Sequence, residues 1–194
     1  MEINSNANKY EVLVTPNKGR DIITCLIQLK DILLKYKYLC HIHTKKHDDK
    51  EQLGKYCRQY LYENLLGNKI IIKQILSDFE NNKKLGFIFP EHFISIIKCA
   101  NEFKSKNWNK IDKIFDILFP NLKIKAGNIM NFPAGNMFWA RTEAIHQIFS
   151  EKIIKLCPEE RGQIDGTIFH AIERFWLYLV KLNGFCYKTI FYSV

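Results

Sequence analysis

The chain has 194 residues, 47% of them hydrophobic and 13% aromatic, which is enough apolar material for one sizeable core. Lys and Arg number 29 against 20 Asp and Glu, but the cations are scattered and form no basic block, so the net charge of +9 points to a solvated basic surface or a phosphorylated ligand, not to nucleic acid. Six separated cysteines without a Cys-x-x-Cys pair leave no zinc knuckle or redox motif, and no apolar run approaches the ~18 residues of a membrane span.

Residues 1–10 form a polar lead, without the apolar segment of a signal peptide, and 11–194 read as one domain in a reducing cytoplasm. Glu11 to Thr15 predicts a short strand, broken at Pro16-Asn17-Lys18-Gly19. Ile22, Cys25, Leu26, Leu29 and Leu33 then recur at helical spacing, so a helix is expected from Asp21 to Leu34, capped by Asp21. Tyr38 to Thr44 predicts the next strand, and Lys45 to Glu51 a polar loop. Two helices follow, Lys55 to Leu66 and Lys69 to Asn81, divided at Gly67-Asn68.

A strand is expected over Leu85 to Phe89, ended by Pro90; Phe93 to Phe103 is ambiguous. Trp108 to Phe119 has a clear helical period between Asn107 and Pro120. Ile124 to Ala140, with Gly127, Pro133 and Gly135 among apolar residues, suits a bent strand or loop lining a site. Helices resume at Thr142 and Asp165, and the β-branched and aromatic tail from Gly184 adds a last strand. This alternation predicts a single α/β domain, a mostly parallel sheet flanked by helices.

Three clusters carry the chemistry. In a strand His41 and His43 project to one face, and Lys45 and Lys46 follow, so the group suits an anion or a divalent metal; a hydrogen-bonded structural pair is the plainer alternative. Phe132 to Arg141 (FPAGNMFWAR) puts small residues where backbone can approach a ligand, ahead of Trp139 and the fixed charge of Arg141. The alternative is a core bend with Arg141 paired to Glu143 or Glu173. Asp165 stands at a helix start, where it could simply cap, while His170, Glu173 and Arg174 recur on one helix face as a polar row.

The segments PNKGRDI, CHIHTKK, ENLLG, LGFIFPEHF, FPAGNMFWAR and DGTIFHAIER, in this order over nearly the whole chain, resemble the rhamnan synthesis F family. The resemblance implies a glycosyltransferase-like domain in the assembly of rhamnose-containing bacterial surface polysaccharides of the O-antigen type. Its implied partners are a nucleotide-sugar donor, a glycan acceptor and other assembly enzymes, with peripheral contact at the inner face of the membrane.

The order of elements also resembles the GT-A layout, without its first strand-helix units. By that likeness Asp165 is the catalytic base, Asn17, Arg20 and Asp21, in the turn and helix ahead of the metal-binding strand, bind the substrate or its phosphates, and Gly135, Asn136 and Trp139 form the acceptor-side loop. His41, His43, Lys45, Lys46, Arg141 and His170 are the candidates to meet the diphosphate. His41-Ile42-His43 stands where that layout carries Asp-x-Asp, and imidazoles suit softer metals than Mg²⁺, so a divalent metal is an open question. A non-catalytic glycan-binding or partner-binding domain is the competing reading.

Overall fold

Four strands build the sheet that positions the site: β1 (Tyr38–His41), β2 (Leu85–Pro90), β3 (Phe138–Arg141) and β4 (Cys186–Ile190), in the order β1-β3-β2-β4. The structure is a computed structural model and describes residues 10–14, 20–25, 29–44, 51–93, 107–122, 131–157 and 166–192. β3 is antiparallel to both β1 and β2, whereas β2 and β4 are parallel. The sheet is therefore mixed, which corrects the expectation of a mostly parallel one. β1, β2 and β4 run in one direction because helices carry the chain back between β1 and β2, and before β4. β3 is reversed because the bend at 132–137 delivers the chain to the carboxyl ends of its neighbours.

Helices cover both faces, as an α/β domain requires. On one side lie α1 (Arg20–Ile23), α2 (Lys30–Leu33), α5 (Trp108–Leu118), α6 (Thr142–Ile145), α7 (Glu151–Ile154) and the long α8 (Ile168–Leu182), packed with Phe87, Phe89 and Phe138. On the other side α3 (Glu51–Leu66) and α4 (Lys69–Asn81) bury Leu61, Leu65, Ile71, Ile75 and Phe79 against Leu85 and Ile88. All six residues of β2 are buried, as expected of a strand covered on both faces. Leu85 and Phe87 face opposite layers although two residues apart, because the register shifts between them at Gly86.

The strongest local signals give the sharpest elements. α4 begins where Asn68 accepts backbone N–H bonds from Ile70 and Ile71, and it buries Ile71, Ile75 and Phe79 at four-residue spacing. The stretch from Asp21 is less regular than expected. α1 loosens after Ile23, Leu29 donates to the Thr24 carbonyl in a wide turn, and α2 is a single turn; residues 26–28 lie outside the described residues. Residues 10–14 carry no strand, and the remainder of the predicted EVLVT element, Thr15, is not described. The ambiguous Phe93 to Phe103 falls almost wholly outside the described residues, as does the loop at 45–50. Among the described residues no helix is long and apolar enough to cross a membrane.

Candidate functional site

β1, β2 and β4 all end at one edge of the sheet, and there the polar side chains gather. The bend from Phe132 to Met137 makes the floor. Gly135 (φ 89) and Asn136 (φ 55) both take left-handed backbone, which reverses the chain into β3 and turns two carbonyls outward. His41 meets the Asn136 carbonyl through Nδ1 at 2.6 Å, and His43 meets the Gly135 carbonyl through Nε2 at 2.7 Å. A carbonyl only accepts, so those two nitrogens carry the protons. The Gly135 N–H donates to Glu173 Oε1 at 2.8 Å, tying the bend to α8.

Asn136 organises the remaining groups. The buried Trp176 indole N–H donates to its Oδ1 at 2.8 Å; indole is a donor only, so the amide orientation is fixed. Its Nδ2 then donates to Asp21 Oδ2, and that oxygen lies 3.7 Å from His41 Nε2 and 3.8 Å from His43 Nε2. Burial holds the His41 imidazole below its ordinary pKa, against the opposing pull of Asp21 and of the bond to Asn136, with His43 adding to the depression. A neutral His41 protonated at Nδ1 therefore turns its Nε2 lone pair toward a carboxylate oxygen. Two acceptors 3.7 Å apart suit a water that donates to both, or a hydroxyl that donates to one of them.

Several sequence candidates converge here and others stand apart. Asp21, His41, His43, Gly135 and Asn136 share the one cluster. His170 stands at the start of α8, one turn before Glu173, where Nδ1 is engaged with the Thr167 hydroxyl at 2.7 Å in the helix cap. Further along α8 Glu173 lies 3.6 Å from Arg174, and Arg174 donates to the His170 backbone carbonyl and covers the Phe132 ring. Trp139 points to the opposite layer and donates to the Leu65 carbonyl at 3.1 Å. Arg141 pairs across from Tyr38, three residues along from His41, or about 10 Å. It donates to the buried carbonyls of Phe79 and Leu85 and stacks on Tyr38, and neither Glu143 nor Glu173 is its partner in these bonds.

Asp165, Asn17, Lys45 and Lys46 lie outside the described residues, as does the side chain of Arg20. Among the described residues no three His, Cys, Asp or Glu side chains are grouped to hold a metal ion, and His43 Nε2 already faces a carbonyl, so the described residues do not fit a resident metal. The thiols of Cys25 and Cys40 are pushed up to about 12 by burial, with Asp21 adding to the effect at Cys25, so neither offers a thiolate. Sequence reasoning linked neither Trp176 nor Tyr62 to the site, yet Trp176 orients the Asn136 amide and Tyr62 donates to the His43 carbonyl at 2.9 Å. No periodicity signals either bond, since both span elements distant in the chain.

Comparison with known proteins agrees over nearly the whole chain. The model of the rhamnan synthesis protein F family matches residues 1–185. An uncharacterized protein, WxcX, of Xanthomonas campestris pv. campestris strain B100 is 30% identical over 182 residues, covering 90% of this chain and 24% of the relative. WxcX of a second strain of the same pathovar matches with the same identity and coverage. The chain thus spans about a quarter of the length of these curated relatives. No solved structure matches.

Proposed function

Because the chain belongs to the rhamnan synthesis protein F family, we propose that it is a glycosyltransferase-like domain acting on a nucleotide sugar during polysaccharide assembly. One observation carries the reading: Asp21, His41, His43 and the Gly135–Asn136 turn, far apart in the chain, are hydrogen-bonded into one cluster at the carboxyl ends of β1, β2 and β4. That edge is where open α/β sheets place their ligands. The order of a strand ending at His41, a glycine-containing bend and a helix capped by Thr167 also supports a GT-A-like layout.

Sugar transfer from a nucleotide diphosphate needs two things: neutralisation of charge on the leaving phosphate and a base for the acceptor hydroxyl. The base is assigned to Asp165, immediately ahead of Gly166 and the Thr167 cap of α8. Lys45 and Lys46, which follow the histidine segment in the sequence, are the cations for the phosphates, with His170 as a further candidate. Asp21 Oδ2 or His41 Nε2 accepts a hydrogen bond from a ligand hydroxyl. The other members of the transfer are a glycan acceptor and further assembly enzymes.

A thermal-shift panel of UDP-, dTDP- and GDP-linked hexoses and 6-deoxyhexoses tests the reading. A donor at one hundred times its Kd stabilises the fold by about 2.7 kcal/mol, so at least one should raise the melting temperature. If none does, with or without Mn²⁺ or Mg²⁺, the transferase reading fails. Where transfer is seen, Asp165→Asn should keep donor binding and lose turnover; undiminished turnover would remove Asp165 as base. A non-catalytic, glycan-binding reading is favoured by one feature, that both histidines are hydrogen-bonded to carbonyls of the chain itself. Glycan binding together with the absence of any donor-induced shift would support it.

A further inference from the structure

At the same edge of the sheet a second surface is built from aromatic rings. The Tyr60 ring lies 5.4 Å from the ring of Phe93, just past β2, and 6.2 Å from that of Phe191, just past β4. Phe191 is 60% exposed and Tyr56, one turn before Tyr60 on α3, is 52% exposed. Tyr60 donates to the Glu91 carbonyl at 3.0 Å, which sets it level with the end of β2, so at ~1.5 Å per residue Tyr56 stands about 6 Å further out. Gln52, a turn earlier, donates to the Tyr56 hydroxyl. The surface therefore alternates ring faces with hydroxyl, amide and carboxylate groups, Glu91 being exposed.

The surface and the site belong to opposite faces of the sheet and approach one another around its carboxyl edge. Two residues after Tyr60, Tyr62 donates to the His43 carbonyl, so one turn of α3 borders both. On the other flank His92, between Glu91 and Phe93, meets the Phe132 carbonyl at 2.7 Å, and Phe132 begins the bend that carries Gly135 and Asn136. We propose that Tyr56, Tyr60, Phe93 and Phe191 form a platform that binds a glycan chain and presents its end to the Asp21, His41 and His43 cluster.

The chemistry selects the occupant. The π face of a ring is negative, and the C–H-rich face of a pyranose presents partial positive charge to it, while the hydroxyls around the sugar's rim need the polar groups that lie between these rings. Protein-docking patches also gather aromatic rings but deplete carboxylates at their centre, whereas here the Glu91 carboxylate lies close enough to act on the Tyr60 hydroxyl. The assignment rests on the proposed function, since it names the acceptor-side subsite of that reading.

Binding of a rhamnose oligosaccharide of about six residues to the full chain, measured by calorimetry with cellohexaose as control, tests the platform. The chain should bind the rhamnose oligomer, and Tyr56→Ala with Phe191→Ala should weaken it roughly tenfold or more, through exposed rings whose loss leaves the core intact. The donor-induced thermal shift should be unchanged in that double variant. Absence of oligosaccharide binding by the unaltered chain, or equal binding by the double variant, overturns the platform. A donor shift that persists in either case leaves the transferase reading standing, so the two failures are distinguishable. Loss of the donor shift in the double variant also overturns it, since the rings would then belong to the donor site.

Discussion

Asn136 concentrates much of the site's local constraint, because its left-handed backbone, its carbonyl and both ends of its amide are all in use. Asn136→Gly keeps the backbone and loses the amide, whereas Asn136→Ala loses the amide and adds the left-handed penalty of about 1 kcal/mol. Urea denaturation should rank the alanine variant below glycine by about that amount; equal stability would mean the backbone relaxes. His41 gives a pH signature. Burial lowers its pKa in the fold, so as pH falls through about 6.5 the unfolded chain takes up a proton that the folded one resists, and stability drops. His41→Asn should flatten the slope of unfolding free energy between pH 7 and 5, and an unchanged slope would assign it to other groups. For Arg141 the bonds to Phe79 and Leu85 predict a structural cost: Arg141→Met should lose about 3 kcal/mol by leaving buried carbonyls unpaired, yet keep any donor shift. Intact stability with a lost donor shift would return Arg141 to the phosphates. The sequence could pair the two histidines through the period of a strand, but it could not show that Trp176 sets the orientation of Asn136, because that bond links residues forty positions apart.

Among the elements, those with caps and clean periodicity are legible from sequence and those shaped by neighbours are not. Lys69 to Asn81 was expected as a helix and is one, with its Asn68 cap; replacing Asn68 by Ala should cost about 1 kcal/mol in urea unfolding. α3 begins at Glu51, a turn ahead of the expected Lys55, and β1 ends at His41, short of the expected Thr44, because its one neighbour among the described residues, β3, begins at Phe138 opposite His41 and leaves the next residues no strand to pair with. β2 shows how tightly the layers meet. A Cβ on Gly86 would come within 2.7 Å of the β-carbons of Ala144 and Phe185. Gly86→Ala should therefore destabilise by 1–3 kcal/mol, or about as much as overpacking elsewhere. Gly184→Ala, where nothing lies within 4 Å and only the φ of +78° is strained, should cost nearer 1 kcal/mol. A smaller loss at Gly86 than at Gly184 would show that the helix and the tail yield.

At the scale of the whole molecule, the two apolar layers share one strand: Phe87 and Phe89 enter one, Leu85 and Ile88 the other. The described core should therefore unfold as a unit, with tryptophan fluorescence and far-ultraviolet circular dichroism coinciding in urea; separate transitions would mean that the layers are independent. By itself the sequence determined the α/β class, the main helices, the buried central strand and the family, because hydrophobic period, caps and motif order act over short stretches of chain. The tertiary structure decided the rest. It reversed β3 and so made the sheet mixed, because strand direction depends on where a loop delivers the chain and not on the strand's own residues. It also brought Asp21, His41, His43, Asn136, Glu173 and Trp176 to one edge while giving Arg141 and Trp139 to the scaffold, since which polar groups meet is fixed by packing between segments far apart in the chain.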